Sequence, residues 1–510
     1  MFLFSAKFSN IENPNLKIQR VSYQMKSLLG ILGMLSVVFL IRCVPKKEVV
    51  QSPNIIFIIG DDISWEDIGA YGHPTIRTPN IDRLAREGLI FNNMYVTASS
   101  CSPSRTSILT GRYPHNTGAA ELHTQLPEHL AYFPELLREK GYFTALAGKW
   151  HEGEHTRRAY DTLLVDKKLN GEGGEEQWVN LLKERSKGKP FFFWLAPYDA
   201  HREWSDNSQF EKPYKNSEVV VPAHLVDDAE TRKDLAAYYN EITRLDHYIG
   251  ILREELEKEG IAENTIFIFT SDNARAFPGN KTRLFDRGLK TPFIMWWPNG
   301  IQKHGNQVDA MISTIDIAPT LLKLAKVDIV SSIQGVSFDQ LLIQTENSFR
   351  QFIFGEHNWH DYEAYERSVR TKDYLYISNK RPWLTNEGPI DANQSPSAYS
   401  LKKGRADSTL TDIQKEVFLS PRPTEELYSI AEDSLQIRNL IADSTYTQII
   451  DNLRSVLAEW QLATGDSVPD SITTDWYHRE DGSPLLLKGI RAEMPGASKN
   501  AARNNNKGPF

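Results

Sequence analysis

Short, wholly apolar runs alternate along this chain with segments whose apolar residues recur every three or four positions. "NIIFIIGDD" is rich in β-branched residues and predicts a buried strand over 54–59, closed by Asp61 and Asp62. "TPNIDRLAREG" predicts a helix capped by Thr78, opened by Pro79 and stopped by Gly88. "PELLREKGYFTALAGKW" reads as a helix, a stop at Gly141 and a strand; "KPFFFWLAP" is a further buried strand. Residues 229–259 predict a long amphipathic helix. "NTIFIFTSDN" is a strand running into Asp272 and Asn273, "TPFIMWWP" another strand, and "TIDIAPTLLKLAKV" a helix. This alternation predicts an α/β fold with a large, mostly parallel sheet sandwiched by helices. Its polar residues fall at strand C-terminal ends, where such sheets place their sites.

After about residue 350 the pattern changes. "RSVRTKDYLYISN" and "EELYSIAEDSLQIRNLI" predict a smaller antiparallel sheet, and "IIDNLRSVLAEWQLATG" a terminal helix. The expected organisation is a catalytic region over 51–345, a C-terminal subdomain over 346–485 and a polar, disordered tail over 486–510. Residues 1–50 read differently. From Met25, "MKSLLGILGMLSVVFLIRC" has a charged start, an apolar run too short to span a bilayer, and Cys43. This is the pattern of an export signal. It resembles a bacterial lipoprotein site, with Cys43 as the lipidated residue and a membrane anchor, although Arg42 stands where a small residue is usual. The expected location is the periplasm or outer surface of a bacterium.

Composition narrows the functional classes. The 510 residues are 40% hydrophobic and 24% charged, with a net charge of −8 and a pI near 6.0. That balance gives no general attraction to nucleic acid, so an anionic substrate must be met by local positive charge. Two cysteines cannot form a disulfide framework, and the reading of Cys43 as an anchor leaves Cys101 alone.

Asp61, Asp62, Asp272 and Asn273 are oxygen donors, a set that suits Ca²⁺, and less well Mg²⁺, better than zinc. Cys101 opens "CSPSRTSILTGR". Ser102 as cap and Pro103 in the first turn predict a helix starting here, with the thiol at its N-terminus, a position that lowers a thiol pKa.

"CSPSRTSILTGR" resembles the signature of the type I sulfatases of the alkaline phosphatase superfamily, through Cys101, Pro103, Ser104, Arg105, Thr110 and Gly111. The likeness extends over roughly 52–330 and more loosely to about 465. It implies that a formylglycine-generating enzyme oxidises Cys101 before folding, and that the aldehyde hydrate is the nucleophile. Attack on sulfur gives an enzyme-bound sulfate ester; a proton lost from the second hydroxyl then expels sulfate. By the same resemblance Asp61, Asp62, Asp272, Asn273 and residue 101 hold the cation. Arg105 and His151 position the hydrate, Lys149 and Lys281 bind sulfate oxygens, and His201 protonates the leaving atom.

"SDNARAFPGNKTRLFDRG" has Ala274 where the family usually has glycine, and with "GRYPHNTGAAELH" it is similar to the heparan N-sulfatase (sulfamidase) branch. Relatives of that branch include O-sulfatases of algal polysaccharides such as ulvan. The implied function is an exported carbohydrate sulfatase acting on a sulfated oligo- or polysaccharide. N-sulfoglucosamine hydrolysis is one alternative, a phosphatase or phosphodiesterase a second, and a non-catalytic glycan-binding lipoprotein a third. His115, His123, His357, His360 and Arg370 are candidate substrate contacts, with His155 as a further one. Arg367 and Lys372 could join Arg370 against a polyanion, and Trp359, Tyr362 and Trp383 could stack on sugar rings.

Overall fold

The computed structural model describes residues 52–205, 212–385, 387–479, 489–496 and 501–510. The export and lipidation reading of residues 1–50, Cys43 included, lies outside them. Residues 52–510 form one compact unit.

The strands are β1 Asn54–Gly60, β2 Leu89–Tyr95, β3 Phe143–Gly148, β4 Thr162–Leu164, β5 Phe191–Ala196, β6 Thr265–Ser271, β7 Lys290–Thr291, β8 Phe293–Trp296 and β9 Asn306–Ser313. They form one sheet in the order β4-β3-β5-β1-β6-β8-β2-β7, with β9 paired to β2. The β4-β3-β5-β1-β6 half is parallel throughout, whereas β8 runs antiparallel to both β6 and β2.

A strand sends successive side chains to opposite faces, and β1 does so into two separate cores. Ile55, Phe57 and Ile59 face the helices Phe133–Glu139 and Ile317–Leu324, while Ile56 and Ile58 face Trp178–Glu184 and Ala229–Lys258. Burial on both sides explains why these strands read as unbroken apolar runs.

The second sheet is β10 Ile353–His357, β11 Glu366–Arg370, β12 Tyr374–Asn379 and β13 Glu425–Ser429, antiparallel in that order. The helix Thr447–Thr464 covers it and ends at Gly465, whose φ of 73° is the left-handed stop that glycine favours. Tyr113 and Ile315 from the large-sheet region share a core with Phe354, Val369 and Trp460.

Residues 501–510 depart from the expected disordered tail. Arg112 is buried and donates to Asn116 O and Asn504 O (2.8 Å each), to Asn505 Oδ1 (2.8 Å), to Ala502 O (3.2 Å) and to Ser332 O. Phe510 packs edge-on against Phe349. A polar composition forecasts disorder only when the polar groups find no buried partner, and here they do.

Candidate active site

Four neighbouring strands deliver their chemistry at one edge. In the β1–β6 register Gly60 lies beside Ser271, so the two acid pairs that follow are also neighbours. The Asp272 amide donates to Gly60 O at 3.1 Å, and the Asp62 amide to Asp272 Oδ1 at 3.1 Å. Beside β1, the chain leaving β5 carries His201, and the chain leaving β3 carries Lys149 and His151. The Lys149 amide donates to Ala196 O at 2.6 Å. Gly148 makes this approach feasible: its φ is 99°, and an added Cβ would lie 2.0 Å from Ala196 O.

Cys101 is the first residue of the helix Cys101–Thr110, with Ser100 as its N-cap. The helix therefore starts one residue before the predicted Ser102 cap, and Pro103 sits in its first turn. The thiol sulfur is 3.7 Å from Asp61 Oδ1 and 3.8 Å from Asp62 Oδ1. Its pKa runs opposite to the sequence expectation. Burial pushes the thiol well above its usual value, and Lys149 and Lys281 offset this only in part.

The carboxylates are held by cations. Arg105, wholly buried, donates from Nε to Asp272 Oδ2 at 2.8 Å, with Nη2 3.5 Å from Asp61 Oδ1. Lys149 Nζ lies 2.5 Å from Asp61 Oδ2, and Lys281 Nζ 2.8 Å from Asp62 Oδ1. Burial alone would raise the Asp61 carboxyl, but Lys149, His201 and Arg105 outweigh it and hold it low. Burial wins at Asp272, which is raised. Burial also opposes the charge on Lys281, yet Asp62 keeps that ammonium well above its usual range.

Two observations test this centre for a cation. Asp61, Asp62, Cys101 and Asp272 offer ligand atoms within 4.8 Å of one another. Asn273 Oδ1 is buried with no hydrogen-bond partner, while its amide nitrogen is taken by Asp62 Oδ1 (2.5 Å) and Ala274 O (2.9 Å). A lone carbonyl oxygen beside three carboxylates fits a hard, oxygen-seeking cation.

Four of the seven non-glycine residues with positive φ among the described residues lie here: Asp62 (62°), His123 (62°), Thr282 (70°) and Asp361 (65°); Lys326, Ser408 and Gln436 lie elsewhere. Such strained backbone persists where surroundings over-determine it, and it gathers at functional sites. Ala274 is not among them, so alanine costs nothing in place of the family's usual glycine.

Of the candidate substrate contacts, the structure brings two to the site. His123 is exposed, and its Nδ1 pairs with His151 Nε2 at 2.7 Å. His360 Nδ1 pairs with Ser100 Oγ, beside Cys101, at 2.7 Å. Burial drives His151 well below its usual pKa, helped by Lys149.

The other candidates are corrected. His115 is buried, bound through Nδ1 to Glu356 at 2.6 Å and packed on Trp460. His357 is buried with Nδ1 on Glu366 at 2.6 Å. Arg370 forms a forked pair with Asp286 at 3.0 Å, in a separate cavity away from Cys101. Arg367 is tied to Asp466, so no polyanion-binding row forms with Lys372. His155 pairs with Glu128, Tyr362 is buried, and Trp359 is buried against Cys101 and Leu122 beside the centre.

Asp391 was missed. Its Oδ2 lies 3.7 Å from His201 Nε2, which is also 3.9 Å from Asp62 Oδ2. It sits in a Pro- and Gly-flanked stretch with no chemical motif, some 190 positions from its partner in sequence.

Residues 53–327 match the sulfatase family model, and residues 279–397 match the model for the C-terminal part of N-sulphoglucosamine sulphohydrolase. The sequence is 30% identical over 468 residues to an ulvan-active sulfatase of Formosa agariphila, spanning 82% of this chain and 77% of the relative. It is 28% identical over 474 residues to human N-sulphoglucosamine sulphohydrolase, spanning 82% and 92%. A structure solved in complex with its substrate D-glucosamine-2-N,6-O-disulfate superposes with a TM-score of 0.64 at 22% identity, covering 81% of this chain and 98% of that one. The phosphonate monoester hydrolase of Agrobacterium radiobacter superposes at 0.61 with 18% identity, covering 80% and 95%. At these identities the two superpositions speak for the fold alone.

Proposed function

Because the chain belongs to the sulfatase family, we propose that it hydrolyses sulfate esters of a sulfated oligo- or polysaccharide, using residue 101 as nucleophile after oxidation of Cys101 to formylglycine. The observation that carries this reading is the convergence on one thiol of three carboxylates, an unpartnered Asn273 oxygen and two lysines.

Asp61, Asp62, Asp272 and Asn273 would hold a divalent cation, for which we favour Ca²⁺. Bound there, the cation would supply fixed positive charge against which a hydroxyl at residue 101 becomes a better nucleophile. The protein's own groups do the rest. Arg105 and His151 orient residue 101. Lys149 and Lys281 neutralise sulfate oxygens, where charge develops. His201, at the solvent-facing rim, gives a proton to the departing oxygen; the Arg202 carbonyl on its Nδ1 sets the direction of its ring, and Asp391 lies 3.7 Å from its Nε2. We further propose export and anchorage through Cys43, with maturation by a formylglycine-generating enzyme.

The sugar is a finer question. Relatives named for ulvan and for N-sulphoglucosamine resemble the chain about equally, at 30% and 28%. O-sulfate hydrolysis of an algal polysaccharide is our first reading and N-sulfate hydrolysis our second. The test is sulfate release by protein whose residue 101 is shown by peptide mass to be oxidised, on O-sulfated rhamnose and N-sulfated glucosamine oligosaccharides in parallel. Cys101→Ala is expected to lower release by at least about 10³-fold. Chelation is expected to remove both bound metal and activity. Full activity of Cys101→Ala would overturn the mechanism.

A further inference from the structure

His201 lies on the segment 199–205, which follows β5 and is bonded at both ends and in the middle to one helix, Ala229–Lys258. At its start the Asp199 carboxylate accepts from Arg244 Nε at 2.8 Å. At its end the Ser205 amide donates to Glu241 Oε1 at 2.9 Å, and the Ser205 hydroxyl accepts from Arg244 Nη1 at 2.7 Å. In the middle Arg202 makes a fork with Asp234, Nη1 to Oδ1 at 2.7 Å and Nη2 to Oδ2 at 2.8 Å, and Trp204 Nε1 donates to Asp234 Oδ1 at 2.9 Å. Asp234, Glu241 and Arg244 recur at helical spacing, so a single buried stripe of the helix makes all of these bonds.

Arg202 is the joint between that stripe and the chemistry. Its Nε donates to Ala276 O at 2.9 Å, and its guanidinium lies over the rings of Trp204 and Phe277, at 4.6 and 4.5 Å. A guanidinium held by a fork, a carbonyl and two ring faces has little freedom to turn, and it restrains the backbone that carries it. The carbonyl of that backbone is the partner of His201 Nδ1. A carbonyl only accepts, so Nδ1 keeps its proton and Nε2 is the atom left to face the departing group. Asp234 also reaches the other flank of His201. Ser397 Oγ donates to Asp234 Oδ2 at 2.7 Å, and Ser397 lies just after Asp391, whose carboxylate is 3.7 Å from His201 Nε2. Burial would raise the Asp234 carboxyl, but Arg202 outweighs it and holds it low, so the anchor stays charged.

We propose that Asp234 is a positioning residue for the leaving-group acid: through its fork with Arg202 it sets the carbonyl that holds His201 Nδ1, and so aims Nε2 at the departing atom. The inference rests on the sulfatase reading, with His201 as acid, and deepens it by tracing the aim of that acid to a buried carboxylate on the helix Ala229–Lys258.

The test is a double-mutant cycle in the full chain with oxidised residue 101. It uses whichever of the O-sulfated rhamnose and N-sulfated glucosamine oligosaccharides the wild type hydrolyses. His201→Ala removes the acid, a loss of roughly 10²–10⁴-fold in kcat. Asp234→Asn should lower kcat by at least about tenfold with KM changed less than about twofold, as expected when an acid is present but misdirected. Placed on His201→Ala, the same substitution should cost less than about twofold more, because there is no acid left to aim. Arg202→Lys, which keeps the charge but not the fork, should behave as Asp234→Asn does while leaving Asp234 bonded to Trp204 and Ser397. Thermal melting checks that each variant is folded, and Asp466→Asn, which breaks a comparable buried fork in the second sheet, should leave kcat within about twofold of wild type. Losses that multiply in the double variant, or a wild-type kcat in Asp234→Asn, would overturn the positioning role and leave the sulfatase reading intact. Sulfate release from neither substrate by the wild type would overturn both.

Discussion

At Asp466 the acid sensitivity of the protein can be read from a single carboxyl. It is buried, receives Arg367 Nε at 2.7 Å and Nη2 at 2.9 Å, and accepts from Tyr365 Oη at 3.1 Å. Burial would raise it, but Arg367 overcomes that and holds it far below the usual carboxylate range. Glu366 is lowered in the same way, by Arg422 and His357. A carboxylate with a depressed native pKa binds protons first in the unfolded chain. Its stabilisation is thus complete above about pH 4 and drains away as the pH falls towards the native value. We expect Asp466→Asn to cost about 3 kcal/mol near neutrality, since it strands Arg367, and to flatten the loss of stability between pH 4 and 2. Urea unfolding across that range checks both; a parallel slope in the variant would contradict the assignment. The same residue scale shows where sequence reasoning ends. Asp61, Asp272, Lys149 and His201 are legible because each follows a readable strand. His115 and Arg370 are not, because neither a family-like stretch nor a strand pattern declares which buried acid a histidine or arginine will meet.

Among the elements, strands and long helices follow closely from periodicity. The helix expected over 229–259 is found at Ala229–Lys258, and the strand expected over 54–59 at Asn54–Gly60. Boundaries set by a single cap are less legible: the helix carrying Cys101 starts at Cys101 because Ser100, not Ser102, is the last extended residue. The C-terminal segment was illegible for another reason. Its asparagines bond to distant backbone and to buried side chains, which no local pattern encodes. Deleting residues 501–510 would strip partners from Arg112, from Asn116 Nδ2 and from Gln334 Nε2, all buried donors. Each orphaned group costs about 1–3 kcal/mol, so the truncated protein should lose more than about 3 kcal/mol in urea unfolding. Arg112→Ala should lose part of that. Wild-type stability in the truncated chain would mean that the segment merely rests on the surface.

Taken whole, the molecule is two sheets that cannot be separated without exposing apolar surface on both. Tyr95, Val96 and Leu284 from one side pack with Ile353, Leu375 and Tyr428 from the other. Scanning calorimetry of residues 52–510 should accordingly give one endotherm with calorimetric and van't Hoff enthalpies in agreement; two resolved endotherms would show that the sheets unfold independently. The depth at which Cys101 is set has its own bearing. Only 2% of it is exposed, and it is packed with Leu122 and Trp359 beneath the second sheet's connections. On the maturation proposed above, a modifying enzyme would have to take the thiol into its own cleft, and the finished fold denies that access. Each molecule would then have one chance to become competent, in the interval between emerging as a chain and closing over its own cysteine. The active fraction of a preparation would be a record of that race, fixed at birth and unchanged by later treatment of the folded protein.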